Sequence, residues 1–279
     1  MQMNMGQKFR QAMKDENPLQ IVGTVNAFTA LMAKSLGYRA IYLSGAGVAN
    51  ISYGLPDTGI TTFDNVLEDA IRIIAAVDLP LIVDIDTGFG NEKIIERVIK
   101  TLERAQVAGV HIEDQVFDKR CGHLEGKKLC SANEMCLRIK AAVNARSSKD
   151  FLIIARVDAI ATEGLEHAIS RAVQYKQAGA DIIFAEAVTT PEEYAAFKKA
   201  VSIPILANIT EFGKTPAFTL QELQSVGVDI VLYPLSASRA MNLAALNVYK
   251  DIREHGTVKN SLANMQTRED LYRFLNYKG

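Results

Sequence analysis

Three carboxylates and a thiol set the chemistry that this chain could perform. Asp84 and Asp86 stand two residues apart at the end of the apolar run Leu81 to Asp86 (LIVDID), and Glu113 ends the next run, Val110 to Glu113. On a strand, that i, i+2 spacing puts both aspartates on one face, roughly 6–7 Å apart. Acids converging on one point repel each other unless a hard cation neutralises them, and oxygen ligands with retained waters suit Mg2+. Zinc fits poorly, because His111, His123, His167 and His255 show no i, i+4 pairing. Salt bridges inside a barrel mouth are the other use such acids could have. The second cluster is Lys119-Arg120-Cys121-Gly122-His123. Two cations and an imidazolium would lower the thiol's pKa and hold an anionic substrate beside it; a solvated basic loop is the plainer alternative. Cys130 and Cys136 lie in a helical pattern and read as packing residues.

The elements that must position these groups recur along the chain. Gln20 to Asn26, Ala40 to Ser44, Leu81 to Asp86, Val110 to Glu113, Phe151 to Val157, Asp181 to Glu186, Ile203 to Ile209 and Asp229 to Tyr233 are short, mostly apolar runs. Such runs suit a parallel sheet covered on both faces. Helical patterns alternate with them, including Glu92 to Ala108, Ser131 to Ala145, Gly164 to Ala178 and Pro191 to Ala200. The glycines of Ala108-Gly109, Ala178-Gly179 and Val226-Gly227 are expected to be left-handed helix caps. Eight βα units without a linker favour one closed α/β barrel, a (β/α)8 TIM barrel spanning residues 1–279, and no early Gly-x-Gly-x-x-Gly turn supports an open doubly wound sheet. An N-terminal helix around Gln7 to Lys14 and a C-terminal helical extension of about 255–279 fall outside the units, with Asn242 to Arg253 read as the last barrel helix.

In a barrel of this kind the active site lies at the C-terminal strand ends. Those ends are polar here: Ser44-Gly45-Ala46-Gly47, Asp84 and Asp86, Glu113 and Asp114, Arg156 and Asp158, Glu186, and Asn208 with Thr210. Acids at four strand ends need partners if buried.

Composition narrows the partners. The 279 residues carry 31 Lys+Arg against 32 Asp+Glu, a net charge of −1, which argues against a nucleic-acid binder. Hydrophobic residues at 48% imply a sizeable core. Three cysteines without a Cys-x-x-Cys pair fit neither a disulfide scaffold nor a zinc ribbon and imply a reducing, cytoplasmic setting. No secretory signal or membrane span is expected.

Taken together the motifs resemble the 2-methylisocitrate lyases of the isocitrate lyase and phosphoenolpyruvate mutase superfamily. The Lys119–His123 loop is similar to that family's lyase signature, and Val83-Asp84-Ile85-Asp86-Thr87-Gly88-Phe89-Gly90 to its metal motif. Similar segments follow in order: Tyr42-Leu43-Ser44-Gly45, His111-Ile112-Glu113-Asp114-Gln115, Asn208-Ile209-Thr210-Glu211-Phe212-Gly213, Tyr233-Pro234-Leu235-Ser236 and Met265-Gln266-Thr267-Arg268.

The resemblance implies an Mg2+-dependent enzyme, with Mn2+ as a substitute, that cleaves 2-methylisocitrate to pyruvate and succinate. It implies metal binding by Asp84, Asp86 and Glu113, directly or through water, and binding of the 2-oxo acid portion by Arg156 and by backbone N–H groups of Ser44, Gly45 and Ala46. Cys121, Gly122, Glu186, Asn208, Thr210, Arg239 and Arg268 would surround the succinate portion, and Asp57 and Ile209 belong to the same substrate set. Cys121 would be the proton donor and Tyr42 the first choice of base, with a metal-bound water or a carboxylate the second, and His123 a further catalytic residue. Phe184, Leu232 and Pro234 would surround the extra methyl group. A homotetramer with C-terminal helices exchanged between subunits is also implied. Ala46, Ile85 and Val157 depart from the family pattern without removing a ligand. Isocitrate lyase-like or oxaloacetate decarboxylase activity on the same barrel is the alternative; decarboxylases of this superfamily do not need the cysteine acid, and isocitrate lyases are longer chains.

Overall fold

The computed structural model describes residues 3–117, 119, 122 and 126–277. Eight parallel strands close into a barrel in sequence order: β1 (Leu19–Gly23), β2 (Ile41–Leu43), β3 (Leu81–Asp84), β4 (Gly109–Glu113), β5 (Leu152–Val157), β6 (Ile182–Ala185), β7 (Ile205–Asn208) and β8 (Ile230–Tyr233). Closure is made by β1 against β8, with Leu19 opposite Ile230 and Val22 opposite Tyr233. All eight expected strands are present, with ends trimmed by one to three residues in most cases.

Helices α1 (Met5–Asp15), α2 (Ala27–Ser35), α3 (Gly45–Gly47), α4 (Phe63–Ala76), α5 (Glu92–Arg104), α6 (Ala132–Ala145), α7 (Ile160–Glu163), α8 (Leu165–Gln177), α9 (Pro191–Val201), α10 (Leu220–Ser225), α11 (Ser236–His255) and α12 (Arg268–Phe274) complete the chain. Their starts follow local capping chemistry. Asn26, Thr62, Thr190 and Thr219 each accept from the backbone three residues on, while the side chain at that third position returns the bond. Pro191 stands in the first turn of α9, where its missing N–H costs nothing.

Two apolar layers surround the strands. The outer layer packs strands against helices, with Ile73, Ile95, Ile99, Ile139 and Phe197 among its buried members. The inner layer fills the barrel with Leu19, Ile21, Ile82, Leu152, Ile154, Ile182, Phe184, Leu206, Ile230 and Leu232, and Phe9 and Ala12 of α1 join it. The N-terminal helix therefore plugs the barrel. Strand periodicity then explains the site: two residues beyond Ile82, Ile154, Phe184 and Leu206 stand Asp84, Arg156, Glu186 and Asn208. These four inward-facing rows are apolar at depth and polar at their C-terminal ends.

Three local expectations change. Gly179 and Gly227 do take positive φ, 110° and 82°, but Gly109 lies inside β4, and Gln106 (φ 67°) makes the left-handed turn. At Gly109 the requirement is space, since a Cβ would lie 2.5 Å from the Leu152 Cβ. Asp86 lies beyond β3 at φ 48°, so the two aspartates are not successive residues of one strand face. Finally, α11 is longer than expected and does not pack as the other barrel helices do. Only Ser238 is buried in it, while Leu243 and Tyr249 are 60% and 69% exposed.

Candidate active site

A cavity of about 210 Å3 opens at the C-terminal end of the barrel. It collects most of the residues expected from sequence: Tyr42, Ser44, Ala46, Asp57, Asp84, Gly122, Arg156, Glu186, Asn208, Thr210 and Arg239 all line it. The apolar trio Phe184, Leu232 and Pro234 also lines it, although Phe184 and Leu232 are otherwise fully packed.

Asp84 accepts several hydrogen bonds. Its Oδ2 accepts from the Gly45 N–H at 2.9 Å and its Oδ1 from the Asp86 N–H at 3.0 Å. Tyr42 Oη lies 3.4 Å from Oδ2, and His111 Nε2 lies 3.2 Å from Oδ1 and 2.7 Å from Tyr42 Oη. Burial alone would push the Asp84 carboxyl up, but His111, Lys119 and Arg156 hold it well below the ordinary value. Tyr42 behaves in the opposite way: burial, reinforced by Asp84, raises its phenol far above its usual range. Tyr42 is therefore a phenol at neutral pH, and it can take a proton only by passing its own to a neighbour such as His111, 2.7 Å away.

Lys119 reaches this cluster from the loop after β4. Its buried Nζ lies 2.5 Å from Asp57 Oδ1 and 2.6 Å from Asp86 Oδ1. Burial raises the Asp86 carboxyl to about 6, with Lys119 opposing and Asp84 adding to the rise. Glu113 is raised well above its normal value, because desolvation outweighs Arg156 and Lys119. Its Oε1 is buried and accepts no hydrogen bond from the described residues.

That donor set can be tested against a divalent cation. The carboxylates of Asp84 and Asp86 approach the same point beside Gly45, where an added Cβ would lie 3.1 Å from Asp84 Oδ2 and 2.9 Å from Asp86 Oδ1. Among the described residues no three His, Cys, Asp or Glu side chains converge closely enough to cage an ion directly. Hard oxygen donors, an unsatisfied buried carboxylate oxygen and few direct ligands together fit Mg2+, which keeps several of its waters. Zinc would demand the closed set that is absent among those residues.

Arg156 organises the opposite wall. It forms a two-point ion pair with Asp158, Nε to Oδ2 at 2.9 Å and Nη2 to Oδ1 at 3.0 Å. Its guanidinium also lies 3.5 Å from Glu113 and 3.5 Å from Glu186, and 5.3 Å above the Phe184 ring. Asn208 Nδ2 donates to Glu186 at 3.1 Å. Arg239 pairs with Glu211 at 3.4 Å on the rim.

Several sequence expectations are modified. The Gly45 N–H is engaged by Asp84 and the Gly47 N–H by the Ser44 Oγ, so Gly45 has no free N–H for a substrate. Ile209 is buried with its N–H on the Leu232 carbonyl and does not line the cavity. Arg268 begins α12, is exposed and is also absent from the cavity, because α12 packs outside the barrel through a 5.7 Å Phe274–Phe28 contact. Glu113 is in its wall rather than on its lining. Cys121 and His123 lie outside the described residues. Sequence reasoning gave no specific role to His111, Lys127 or Asp158, and read Lys119 as a loop cation beside the thiol rather than as a partner of Asp57 and Asp86. His111 and Lys119 fall inside matched motifs and Asp158 beside a strand end, whereas no motif or strand end marks Lys127.

Comparisons place this geometry among known proteins. The family model described as phosphoenolpyruvate phosphomutase matches residues 9–253. The chain is 55% identical to a 2-methylisocitrate lyase of Vibrio cholerae serotype O1, covering 99% of this chain and 92% of that protein. It is 55% identical to the 2-methylisocitrate lyase of Escherichia coli K12, covering 98% and 92%, and 44% identical to that of Bacillus subtilis, covering 97% and 89%. Among solved structures, 2,3-dimethylmalate lyase superposes with a TM-score of 0.91 at 32% identity, covering 98% of this chain and 92% of that one. A phosphonopyruvate hydrolase in complex with oxalate and Mg2+ gives 0.85 at 30% identity, covering 98% and 95%. With this barrel, this cavity and these full-length similarities, the chain belongs to the phosphoenolpyruvate mutase/isocitrate lyase superfamily.

Proposed function

We propose that the protein is a 2-methylisocitrate lyase that cleaves its substrate to pyruvate and succinate, acting in propionate breakdown through the methylcitrate cycle. The observation that carries this reading is 55% identity to such enzymes across nearly the whole chain, with a cavity where the family's motif residues meet.

Asp84, Asp86 and Glu113 are the residues that would hold Mg2+, with Mn2+ as a substitute. When bound, the cation supplies Lewis-acid polarisation of the substrate's hydroxyl and neutralises the acids. The chain's own groups divide the remaining work. Arg156 faces the carboxylate of the 2-oxo acid portion, and the Ala46 N–H adds a donor beside it. Tyr42 removes the hydroxyl proton while its own proton moves to His111, whose Nε2 lies 2.7 Å away. Breaking the carbon–carbon bond leaves the electron pair on the carbon next to a carboxylate, as an aci-carboxylate that cationic groups stabilise. Cys121 delivers the proton that completes succinate. Phe184, Leu232 and Pro234 shelter the methyl group.

A homotetramer with exchanged C-terminal helices is part of the proposal, supported by the apolar residues that α11 leaves uncovered. So are a single domain over residues 1–279 and a cytoplasmic setting. Among the described residues no helix is long and apolar enough to cross a membrane. The test is an assay of the purified protein with 2-methylisocitrate, isocitrate, oxaloacetate and phosphoenolpyruvate side by side, with and without Mg2+. Release of pyruvate and succinate from 2-methylisocitrate, dependent on the metal, is expected; turnover of one of the other three alone would overturn it.

A further inference from the structure

Lys127 is a buried lysine that the proposed chemistry does not use. Its side chain is 1% exposed. Its Nζ donates to the Gly122 carbonyl at 2.7 Å, to the Asp158 carbonyl at 3.2 Å and to Asp158 Oδ1 at 3.0 Å. The three donors of an ammonium group are thereby matched to three acceptors on two segments far apart in sequence. Lys128, the next residue, is exposed, so burial here is particular to one of two adjacent lysines.

Both acceptor segments belong to the site. Gly122 follows Cys121 in the chain, and its backbone is pressed against the Arg156–Glu186 pair: a Cβ would lie 2.2 Å from Arg156 Nη2 and 2.2 Å from Glu186 Oε1. Asp158 is the carboxylate that grips Arg156 at two points. Its Oδ1 is shared between Arg156 Nη2 and Lys127 Nζ. One ammonium thus fixes the height of the Gly122 backbone above the barrel and, through Asp158, the direction of Arg156. Because the contact at Gly122 leaves no room for even a methyl group, a small shift of either segment changes the shape of the cavity.

We infer that Lys127 is a positioning residue for the lyase reaction, seating Gly122 against the Arg156–Glu186 pair and, through Asp158, fixing the direction of the carboxylate-binding arginine. This rests on the lyase reading above. Lys127 does not line the cavity, and its effect is on geometry: misplacement of reacting groups by about 1 Å costs about 10²-fold in rate.

The experiment uses full-length protein with Lys127→Met and Lys127→Gln, and with Lys128→Met as the neighbouring control. In 2-methylisocitrate assays, Lys127→Met is expected to lower kcat by about 10²-fold with KM changed little, Lys127→Gln to lose less because an amide can still reach one carbonyl, and Lys128→Met to match wild type. Amide exchange should rise in the peptide spanning 119–129 of Lys127→Met while the strand peptides keep their protection. Wild-type kcat in Lys127→Met, or loss of activity accompanied by faster exchange throughout the barrel in both Lys127 variants, would overturn the inference. An inactive parent protein would instead refute the lyase reading, and the exchange comparison would still decide whether Lys127 seats Gly122.

Discussion

Acid strength at single side chains here is governed by what each carboxylate loses on burial and what it gains from its nearest cation. Asp84 gains more than it loses, while Asp86 and Glu113 do not. Under the proposed metal binding, this difference makes Asp86 a sensitive reporter of the ion. Asp86→Ala is expected to weaken Mg2+ binding strongly in calorimetric titration and to prevent Mg2+ from restoring activity after chelation. Unchanged Mg2+ affinity would remove Asp86 from the site. Cys121→Ser should keep the fold and Mg2+ affinity yet lower turnover by at least ~10², the range of a positioned general acid; near wild-type turnover would exclude the thiol as donor. Substrate choice belongs to the same scale. One methyl group in an apolar pocket is worth ~1–3 kcal/mol, so kcat/KM for 2-methylisocitrate should exceed that for isocitrate at least ~10-fold. Leu232→Asn, which puts an amide on the cavity lining, should narrow that ratio through loss of the methylated substrate. A wild-type ratio near one would contradict the role of Phe184, Leu232 and Pro234.

Elements convey the same logic through spacing. Strands β3, β5, β6 and β7 each deliver an apolar side chain to the barrel interior and, two residues later, a polar one to the cavity, as Ile154 and Arg156 or Phe184 and Glu186 show. The strands must approach closely for these rows to meet. At Gly109 a methyl group would sit 2.5 Å from the Leu152 Cβ and 2.6 Å from the Leu152 carbonyl oxygen, so neither side chain nor backbone has room. Gly109→Ala should cost ~1–3 kcal/mol of unfolding free energy, the usual penalty of overpacking, read from urea midpoints. A change below the resolution of that measurement would mean that β4 and β5 can separate without loss. Helix α11 follows a different rule. Its length and regularity are local properties, but the barrel does not cover its apolar residues, and a partner subunit is expected to do so. Light scattering should give a tetramer's mass, and Leu243→Glu together with Tyr249→Glu should shift it downward.

For the whole molecule, the buried charges make stability depend on pH in two separate windows. Asp158 is held at about 2, against its own burial, by Arg156 and Lys127. The stability it contributes is present above the ordinary aspartate value of 3.8 and is lost as pH falls toward 2. Asp86 and Asp114 behave oppositely: burial raises each from 3.8 to about 6, so the folded state holds their protons longer than the unfolded state. Their contribution declines as pH rises through that interval. Metal-free protein should therefore lose denaturant resistance between pH 4 and 6, and saturating Mg2+ should flatten this decline, because an ion at Asp86 favours its charged form. An equal slope with and without Mg2+ would count against metal binding there.

Much of this was legible in the sequence, for a physical reason. Buried parallel strands must be apolar along their length, helices must begin with side chains that accept backbone N–H groups, and active-site groups must stand at strand ends. The eight runs, the barrel and the polar strand ends could all be read from one dimension. Tertiary structure decided what depends on distances between segments remote in sequence. Asp86 reaches its place through a left-handed turn rather than strand alternation, the Gly45 N–H is taken by Asp84 39 residues away, and Arg268 is carried outside the barrel by the packing of α12. Lys127 and Lys128 are the same residue type side by side, yet only the fold brings Gly122 and Asp158 to one of them, since hydrogen bonds act over about 3 Å and the sequence contains no such lengths.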